Sequence, residues 1–366
     1  MKLYTDLINS LSAEVPFVGP EAQERSLGMV FKARLGANES IFGPSEKSIT
    51  AMQKATAFDV WKYGDPENYE LREAIAKRMN VNRLNIVIGE GIDALLGYLV
   101  RLIVEPGVKV ITSLGAYPTF NYHVKGYGGE LIFIPYQKDH EDLEALVDAA
   151  AKHRAKLIYF ANPDNPMGTA NSAKRIEEII KRIPEDCILC LDEAYADFAP
   201  KHMVPEINVE NPQVLRFRTF SKAYGLAGAR IGFAIGASDV IKNFDKIRNH
   251  FGVNRIAQTG ALAALNDEEH LNNVKYRVNE AKGQIEKIAT ENNLSTVESF
   301  TNFVAVDCGR EGQYATMILQ NLIKRDVFVR MPSVAPLNRC IRITVGEVTD
   351  MTYLADQLPK VLKETV

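Results

Sequence analysis

The chain has 366 residues, 46% of them hydrophobic and 24% charged, a composition that excludes a disordered protein. A formal net charge of −3 leaves no electrostatic footprint for nucleic acid or an anionic membrane surface. No apolar run reaches the length of a membrane span, and Met1-Lys2-Leu3-Tyr4-Thr5-Asp6 lacks the apolar core of a secretory signal, so a cytoplasmic location is expected.

The first thirty or so residues show no clear periodicity, and Val15-Pro16-Phe17-Val18-Gly19-Pro20 reads as part of an extended arm. A short strand follows at 33–40. Ser45 is placed to cap a helix from 46 to about 57. Tyr63-Gly64-Asp65-Pro66 is a turn, and residues 71–79 alternate apolar and charged positions at helical spacing. The chain then alternates strand and helix. Strands are expected at 85–88, 108–112, 131–134, 157–161, 188–192, 214–219 and 230–235. The intervening helices fall near 89–104, 117–126, 142–152 and 174–182. This repetition predicts an α/β fold, a mostly parallel sheet with helices on both faces.

From residue 257 the pattern changes to a long charged helical region. Strands at 303–306 and 339–345 and helices at 314–324 and 351–363 then predict a smaller α+β C-terminal domain. The expected division is an arm at 1–34, a large cofactor-binding domain at 35–256 and a small domain at 257–366.

Four cysteines make no disulfide framework in a chain of this length. Cys187 and Cys190 spell C-x-x-C, but residues three apart on a strand point to opposite faces, so both read as core thiols. The six histidines are scattered, and no metal is expected.

Ligands of parallel sheets collect beyond the carboxyl ends of the strands, and the polar motifs here fall at those ends. Gly89-Glu90-Gly91-Ile92-Asp93 opens a helix whose backbone amides can face an anion. Tyr117 follows a strand, where an aromatic can stack on a flat ring or merely pack. Asn162-Pro163-Asp164-Asn165-Pro166-Met167-Gly168-Thr169 is a stiff turn that fixes the Asn165 amide. Asp192 ends an apolar strand, where a carboxylate is costly unless a cation balances it. A protonated pyridine nitrogen is such a cation, and a cap or an ion pair is the alternative. Thr219-Phe220-Ser221-Lys222-Ala223-Tyr224-Gly225 carries a lysine between small hydroxyl residues and glycine, with Arg230 following. A desolvated lysine near positive charge can attack an aldehyde, and the hydroxyls with Arg230 can hold a phosphate.

Asn-Pro-x-Asn-Pro-x-Gly-Thr, Asp-Glu-Ala-Tyr and Thr-Phe-Ser-Lys-Ala-Tyr-Gly-Leu-Ala-Gly-x-Arg-x-Gly occur here in the order found in fold-type I pyridoxal-phosphate aminotransferases. From about Leu35 onward the chain resembles that group, within it the histidinol-phosphate aminotransferase family. The resemblance implies pyridoxal 5'-phosphate as cofactor and Lys222 as the lysine that forms the imine with it and shuttles the proton. Asp192 would pair with the pyridine nitrogen, Asn165 and Tyr195 would bond the ring oxygen, and Tyr117 would stack on the ring. Gly91, Ile92, Asp93, Ser221, Arg230 and Thr219 would hold the phosphate. Tyr63 matches a tyrosine that reaches the neighbouring subunit's cofactor, which implies a homodimer with shared active sites.

Arg342, in Cys340-Ile341-Arg342-Ile343-Thr344, matches the arginine of the substrate carboxylate, with Arg330 and Asn38 as further substrate residues. The implied partners are an amino donor and an oxo-acid acceptor, the leading pair being histidinol phosphate and 2-oxoglutarate. The alternatives are an aromatic or other amino-acid aminotransferase, a threonine-phosphate-type decarboxylase, and a cofactor-binding regulator. One segment departs from the family: Ser40 and Ile41 replace Asn-Pro, and Phe42 replaces a tyrosine. His123 reads as a packed histidine that could also reach the substrate pocket.

Overall fold

The computed structural model describes residues 3–13 and 18–365. Two short helices, α1 (Asp6–Ser10) and α2 (Pro20–Leu27), occupy the stretch read as an extended arm, and its residues 15–17 lie outside the described residues. The periodicity is weak because α2 has almost no apolar face: of its residues only Pro20 is buried. It is tied down by charge instead, Arg34 donating to Glu24 and Glu21. Pro20 at its start and left-handed Gly28 at its end were the available boundary signals.

Strand β1 (Ala33–Arg34) stands apart from the central sheet, whose seven strands are β2 (Ile86–Gly89), β3 (Lys109–Ser113), β4 (Glu130–Ile134), β5 (Leu157–Ala161), β6 (Ile188–Asp192), β7 (Val214–Thr219) and β8 (Gly232–Ile235). Their spatial order is β2-β8-β7-β6-β5-β3-β4. The run from β7 to β4 is parallel, and β8 lies antiparallel to both β2 and β7. Helices α3 (Glu46–Phe58), α4 (Tyr69–Met79), α5 (Gly91–Ile103), α6 (Pro118–Gly126), α7 (Leu143–His153), α8 (Ala173–Ile180) and α9 (Ser238–Ile241) accompany these strands.

β5 and β6 are buried on both faces and read as apolar runs, whereas β7, buried throughout, also carries Arg216 and Arg218. Successive residues of β5 go to opposite layers: Tyr159 packs with Leu95, Phe120 and Phe217, whereas Ile158 and Phe160 pack with Leu146 and Ile179. Cys187 and Cys190 part in the same way, buried and free.

The remaining helices are α10 (Arg255–Leu265), α11 (Glu268–Glu291), α12 (Gly312–Lys324) and α13 (Val348–Glu364). A second sheet orders its strands as β12 (Cys340–Thr344), β10 (Phe303–Asp307) and β9 (Ser295–Thr296), all antiparallel. β11 (Val327–Phe328) pairs in parallel with β1. Val274, Val278 and Ile285 of α11 share a core with Val304, Ile318, Ile341 and Leu354. Helix α10 packs elsewhere, its Ala257, Ala261 and Ala264 joining Leu71, Phe220 and Phe233. Among the described residues no helix is long and apolar enough to cross a membrane, and no cluster of three or more His, Cys, Asp or Glu is placed to hold a metal.

Candidate active site

Strands β2, β5, β6 and β7 end at one edge of the sheet, and their last residues begin the site. Asp192 closes β6, 5% exposed. It accepts from the Tyr159 hydroxyl at 2.7 Å and from the Ala194 amide at 2.9 Å. No cation pairs with it among the described residues, and burial pushes its carboxyl up to about 6. Both alternatives read from the sequence fail, since Asp192 is neither in an ion pair nor the N-cap of a helix. Its neighbour Glu193 makes the buried ion pairs, with Arg216 at 2.5 Å and Arg218 at 2.9 Å.

A carboxyl held above its unfolded value binds its proton more tightly in the folded chain. The stability it contributes to cofactor-free protein is therefore complete at acid pH and is lost as pH rises through 6. That loss is worth about 3 kcal/mol. Urea midpoints of cofactor-free protein, measured from about pH 4 to about pH 7, are expected to fall more steeply for wild type than for Asp192→Asn. Equal slopes would refute the assignment.

Lys222 lies in the loop after β7, its Nζ donating to the Asn38 carbonyl at 2.9 Å and standing 5.5 Å from the centre of the Tyr195 ring. Asn38 is a junction. Its backbone is left-handed (φ 55°), its Nδ2 donates to the Tyr195 hydroxyl at 3.0 Å, and its Oδ1 accepts from Thr344 Oγ1 at 3.0 Å. Asn302 Nδ2 donates to the same Asn38 carbonyl at 3.2 Å. Gly225, at φ +69°, allows the Gly43–Pro44 backbone to lie against the lysine loop; a Cβ there would stand 2.3 Å from the Gly43 carbonyl carbon.

The anion cradle is a close packing of backbone and one guanidinium. Gly91 starts α5 at φ +81°, and a Cβ on it would come within 2.5 Å of Arg230 Nη2. Gly232 presses on the Ile92 amide nitrogen from the other side, 3.1 Å from a Cβ position. Arg230 lies 3.7 Å from Asp93, which accepts from the Tyr117 hydroxyl at 2.8 Å. Burial pushes that phenol up. In the lysine loop Thr219 Oγ1 donates to Ser221 Oγ at 3.0 Å.

Arg342 comes from β12 of the other sheet and reaches the Asn165 turn. Its Nη1 donates to Asn165 Oδ1 at 2.5 Å and its Nη2 to the Gly36 carbonyl at 3.1 Å, while its buried Nε has no protein partner among the described residues. Burial pushes the guanidinium down. Arg330 bridges the same strand through its backbone, and burial with the charge of Arg342 lowers it to about 10.

The structure thus links Lys222, Tyr195 and Asn38 by hydrogen bonds, pairs Arg342 with Asn165, closes β6 with Asp192, and brings Gly91, Ile92, Asp93, Tyr117 and Arg230 together at the start of α5. Tyr63 is not part of this gathering: it is 79% exposed, its ring 5.1 Å from Phe251. His123 packs on Gly97 of α5, and burial lowers it. Three residues were missed in the sequence. Tyr159 was signalled by being a tyrosine inside an apolar strand, where its hydroxyl must find a partner. Thr344 was signalled by its i+2 spacing from Arg342 on one strand face. Asn302 carried no signal.

The residues fit a phosphorylated ring cofactor with a basic nitrogen: a glycine cradle that a Cβ would fill, and a buried carboxyl with no cation of its own. A lysine set between such groups is the layout of an enzyme that borrows its electrophile from a bound cofactor. The family Aminotransferase class I and II matches residues 32–358, and the chain belongs to that family. Its relatives include the histidinol-phosphate aminotransferase of Moorella thermoacetica, 30% identical over 93% of this chain and 88% of that one. Histidinol-phosphate aminotransferase 2 of Carboxydothermus hydrogenoformans is 32% identical, over 97% and 98%. Among solved structures, histidinol-phosphate aminotransferase from Sinorhizobium meliloti, determined in complex with pyridoxal-5'-phosphate, is 48% identical. It superposes with a TM-score of 0.97, over 100% of this chain and 99% of that one.

Proposed function

We propose that the protein is a pyridoxal-phosphate-dependent aminotransferase of the histidinol-phosphate type, exchanging an amino group between histidinol phosphate and 2-oxoglutarate. The observation that carries the cofactor is Asp192, a buried carboxyl held by two hydrogen-bond donors and no cation. When bound, pyridoxal phosphate supplies an aldehyde for amines and a ring that withdraws electrons from the substrate's reacting carbon. Asp192 would keep the ring nitrogen protonated. Arg230 with the amides of Ile92 and Asp93 would hold the phosphate, helped by Ser221 and Thr219. Asn165 and Tyr195 would bond the ring oxygen, and Tyr117 would lie on the ring.

Lys222 would take the proton from the donor's α-carbon and deliver it to the carbon supplied by the cofactor's aldehyde, the Asn38 carbonyl accepting from its free amine. Arg342 would bind glutamate and 2-oxoglutarate through their carboxylates, its buried Nε being a donor left for them. Arg330, one bridge away, adds a second positive charge suited to an anionic substrate end, which favours a phosphorylated donor. Arg277 lies 4.2 Å from the ring centre of Phe42, where the family has a tyrosine, but its charge is already paired with Glu347 at 2.7 Å.

We also propose a cytoplasmic homodimer with shared active sites. Exposed Phe58, Trp61, Tyr63 and Phe251 support it as an apolar surface suited to a second copy, with Tyr63 reaching the neighbour's cofactor phosphate. The domain division proposed from the sequence, 1–34, 35–256 and 257–366, is kept except that α10, which packs with Leu71, Phe220 and Phe233, goes with the large domain.

The test mixes cofactor-loaded enzyme with single donors and follows the cofactor's visible absorption. Glutamate and histidinol phosphate are expected to bleach it, and phenylalanine, alanine and threonine phosphate are not. Bleaching by phenylalanine or alanine with no response to histidinol phosphate would replace the donor, and carbon dioxide release from threonine phosphate would replace the reaction. Arg342→Ala is expected to raise KM for 2-oxoglutarate about 100-fold, as for a truncated charged contact; an unchanged KM would move the carboxylate site elsewhere.

A further inference from the structure

The turn at 249–252 takes no part in the chemistry above, yet it joins the start of α5 to the segment that carries Tyr63. Glu90 is the N-cap residue of α5, next to Gly91 of the anion cradle. Tyr98, eight residues on, shares its hydroxyl proton between the two Glu90 carboxylate oxygens, each at 3.1 Å. The same hydroxyl accepts from the Asn249 amide at 3.1 Å. Its donor and an acceptor site are thus both engaged, one toward the helix start and one toward the turn. The Glu90 carboxylate lies directly on Gly252, where a Cβ would overlap its Oε1, so only glycine admits it. Within the turn Asn249 accepts from the Phe251 amide through Oδ1 and from the Gly252 amide through its carbonyl, both at 3.3 Å.

That turn leads to Tyr63. The Phe251 ring lies 5.1 Å from the Tyr63 ring. Arg255, at the start of α10, donates to the Tyr63 carbonyl from Nε at 3.0 Å and from Nη2 at 2.7 Å. Gly64 rests on the Val253 carbonyl oxygen, which a Cβ would overlap. Gln258 closes a pair with Asp65, accepting from its amide at 3.0 Å and donating to its carbonyl at 2.9 Å. Residues 63–65 are therefore fastened to 251–258 through their backbone, while the Tyr63 residue itself stays 79% exposed.

We propose that Tyr98 is a positioning residue that acts on the neighbouring subunit: by latching the 249–252 turn to Glu90 it sets Phe251 and Tyr63 for the neighbour's cofactor phosphate. The proposal rests on the reading that Tyr63 serves the neighbour's site. One helix start then supports two sites, its own through the amides of α5 and its neighbour's through the latched turn. Tyr98→Phe frees the Asn249 amide and lets Phe251 and Tyr63 shift together. The chain's own cradle is built from backbone amides and Arg230, which that substitution leaves in place.

Mixed dimers provide the test. One chain keeps Lys222 and the other carries Lys222→Ala, so the visible absorption of lysine-bound cofactor reports a single site. Tyr98→Phe is placed on either chain, and the Kd of pyridoxal phosphate is measured from that absorption. On the Lys222→Ala chain, whose Tyr63 serves the reporting site, it is expected to raise Kd about fivefold, the worth of about one hydrogen bond. On the Lys222 chain it is expected to change Kd by less than about twofold. Equal effects from both placements would make Tyr98 a general structural residue, and an effect from the Lys222 chain alone would assign it to its own cradle. Either result, or no effect at all, overturns the proposal. Tyr63→Phe on the Lys222→Ala chain separates the latch from the reading beneath it. If it leaves Kd unchanged, or if no dimer forms, the shared-site reading falls and the proposal with it. If it weakens binding while Tyr98→Phe does not, the latch alone falls. Should Tyr98→Phe fail to fold, Gly252→Ala decides by the same placements, because its Cβ displaces the Glu90 carboxylate from the turn.

Discussion

Lys222→Ala is expected to lower transamination by about 10⁴-fold or more while leaving the protein folded and able to bind its cofactor. The lysine is asked to do two things, to bond the cofactor and to carry a proton between two atoms, and proton transfer by a positioned side chain alone is worth up to about 10⁴. Its amine is already directed: Nζ meets the Asn38 carbonyl at 2.9 Å, and that carbonyl is held in turn by Asn302. Among the described residues no other lysine bonds Asn38, Tyr195 or Asn165, so nothing replaces it. In the proposed reading, binding rests on different groups, Asp192, Arg230 and the start of α5, which the substitution does not touch. The measurement is kcat with glutamate beside cofactor content after gel filtration. Turnover within tenfold of wild type would remove Lys222 from the mechanism, and loss of cofactor with loss of fold would make the loop structural.

Asp192→Asn is expected to lower kcat/KM by about 10³-fold and to weaken cofactor retention. Breaking one side of a buried charge pair costs about 3–5 kcal/mol, which spans about 10² to 10⁴ in rate. The asparagine has the same shape, but only one oxygen remains to accept from Tyr159 or Ala194, so the change removes the charge and turns one acceptor into a donor. In cofactor-free protein the same substitution acts on stability with the opposite sense: it removes a carboxyl that costs the fold stability as pH rises through about 6. Lower activity with flatter pH dependence of apo stability is therefore the paired outcome. A variant that keeps wild-type kcat/KM would mean that Asp192 faces no cation in the loaded enzyme. Tyr159→Phe offers a graded comparison, since it withdraws one hydrogen bond and keeps the charge.

How far such residues can be read without coordinates depends on what sets them in place. The strands at 157–161, 188–192 and 214–219 have the same bounds in the structure as in the sequence. A strand covered on both faces is largely apolar, so the ends of β5 and β6 show at the first amide or carboxyl side chain, whereas Arg216 and Arg218 inside β7 are offset by their pairing with Glu193. Asp192, Asn165, the lysine loop and the Gly91 helix start follow from that rule, because local chain chemistry decides where a strand stops and a turn begins. Ser45 as a helix cap is legible for the same reason, its side chain accepting from the Ser48 amide three residues on.

What the amino-acid sequence alone determined was the alternation of elements, the α/β class and the identity of the groups waiting at the strand ends. Tertiary structure decided which of those groups meet. Asn38 finds Thr344 across 306 residues and Asn302 across 264, and Arg342 crosses from the small sheet to Asn165 across 177. β8 enters antiparallel between β2 and β7, a choice its apolar residues cannot encode. Helix α2 was hidden because ion pairs with Arg34 hold it rather than an apolar stripe. Glu141 and Asp164 become buried acids only where the ends of β3 and β5 and the Asn165 turn meet. Periodicity records how each residue meets its own element, whereas a buried polar network depends on distances between elements that only packing sets.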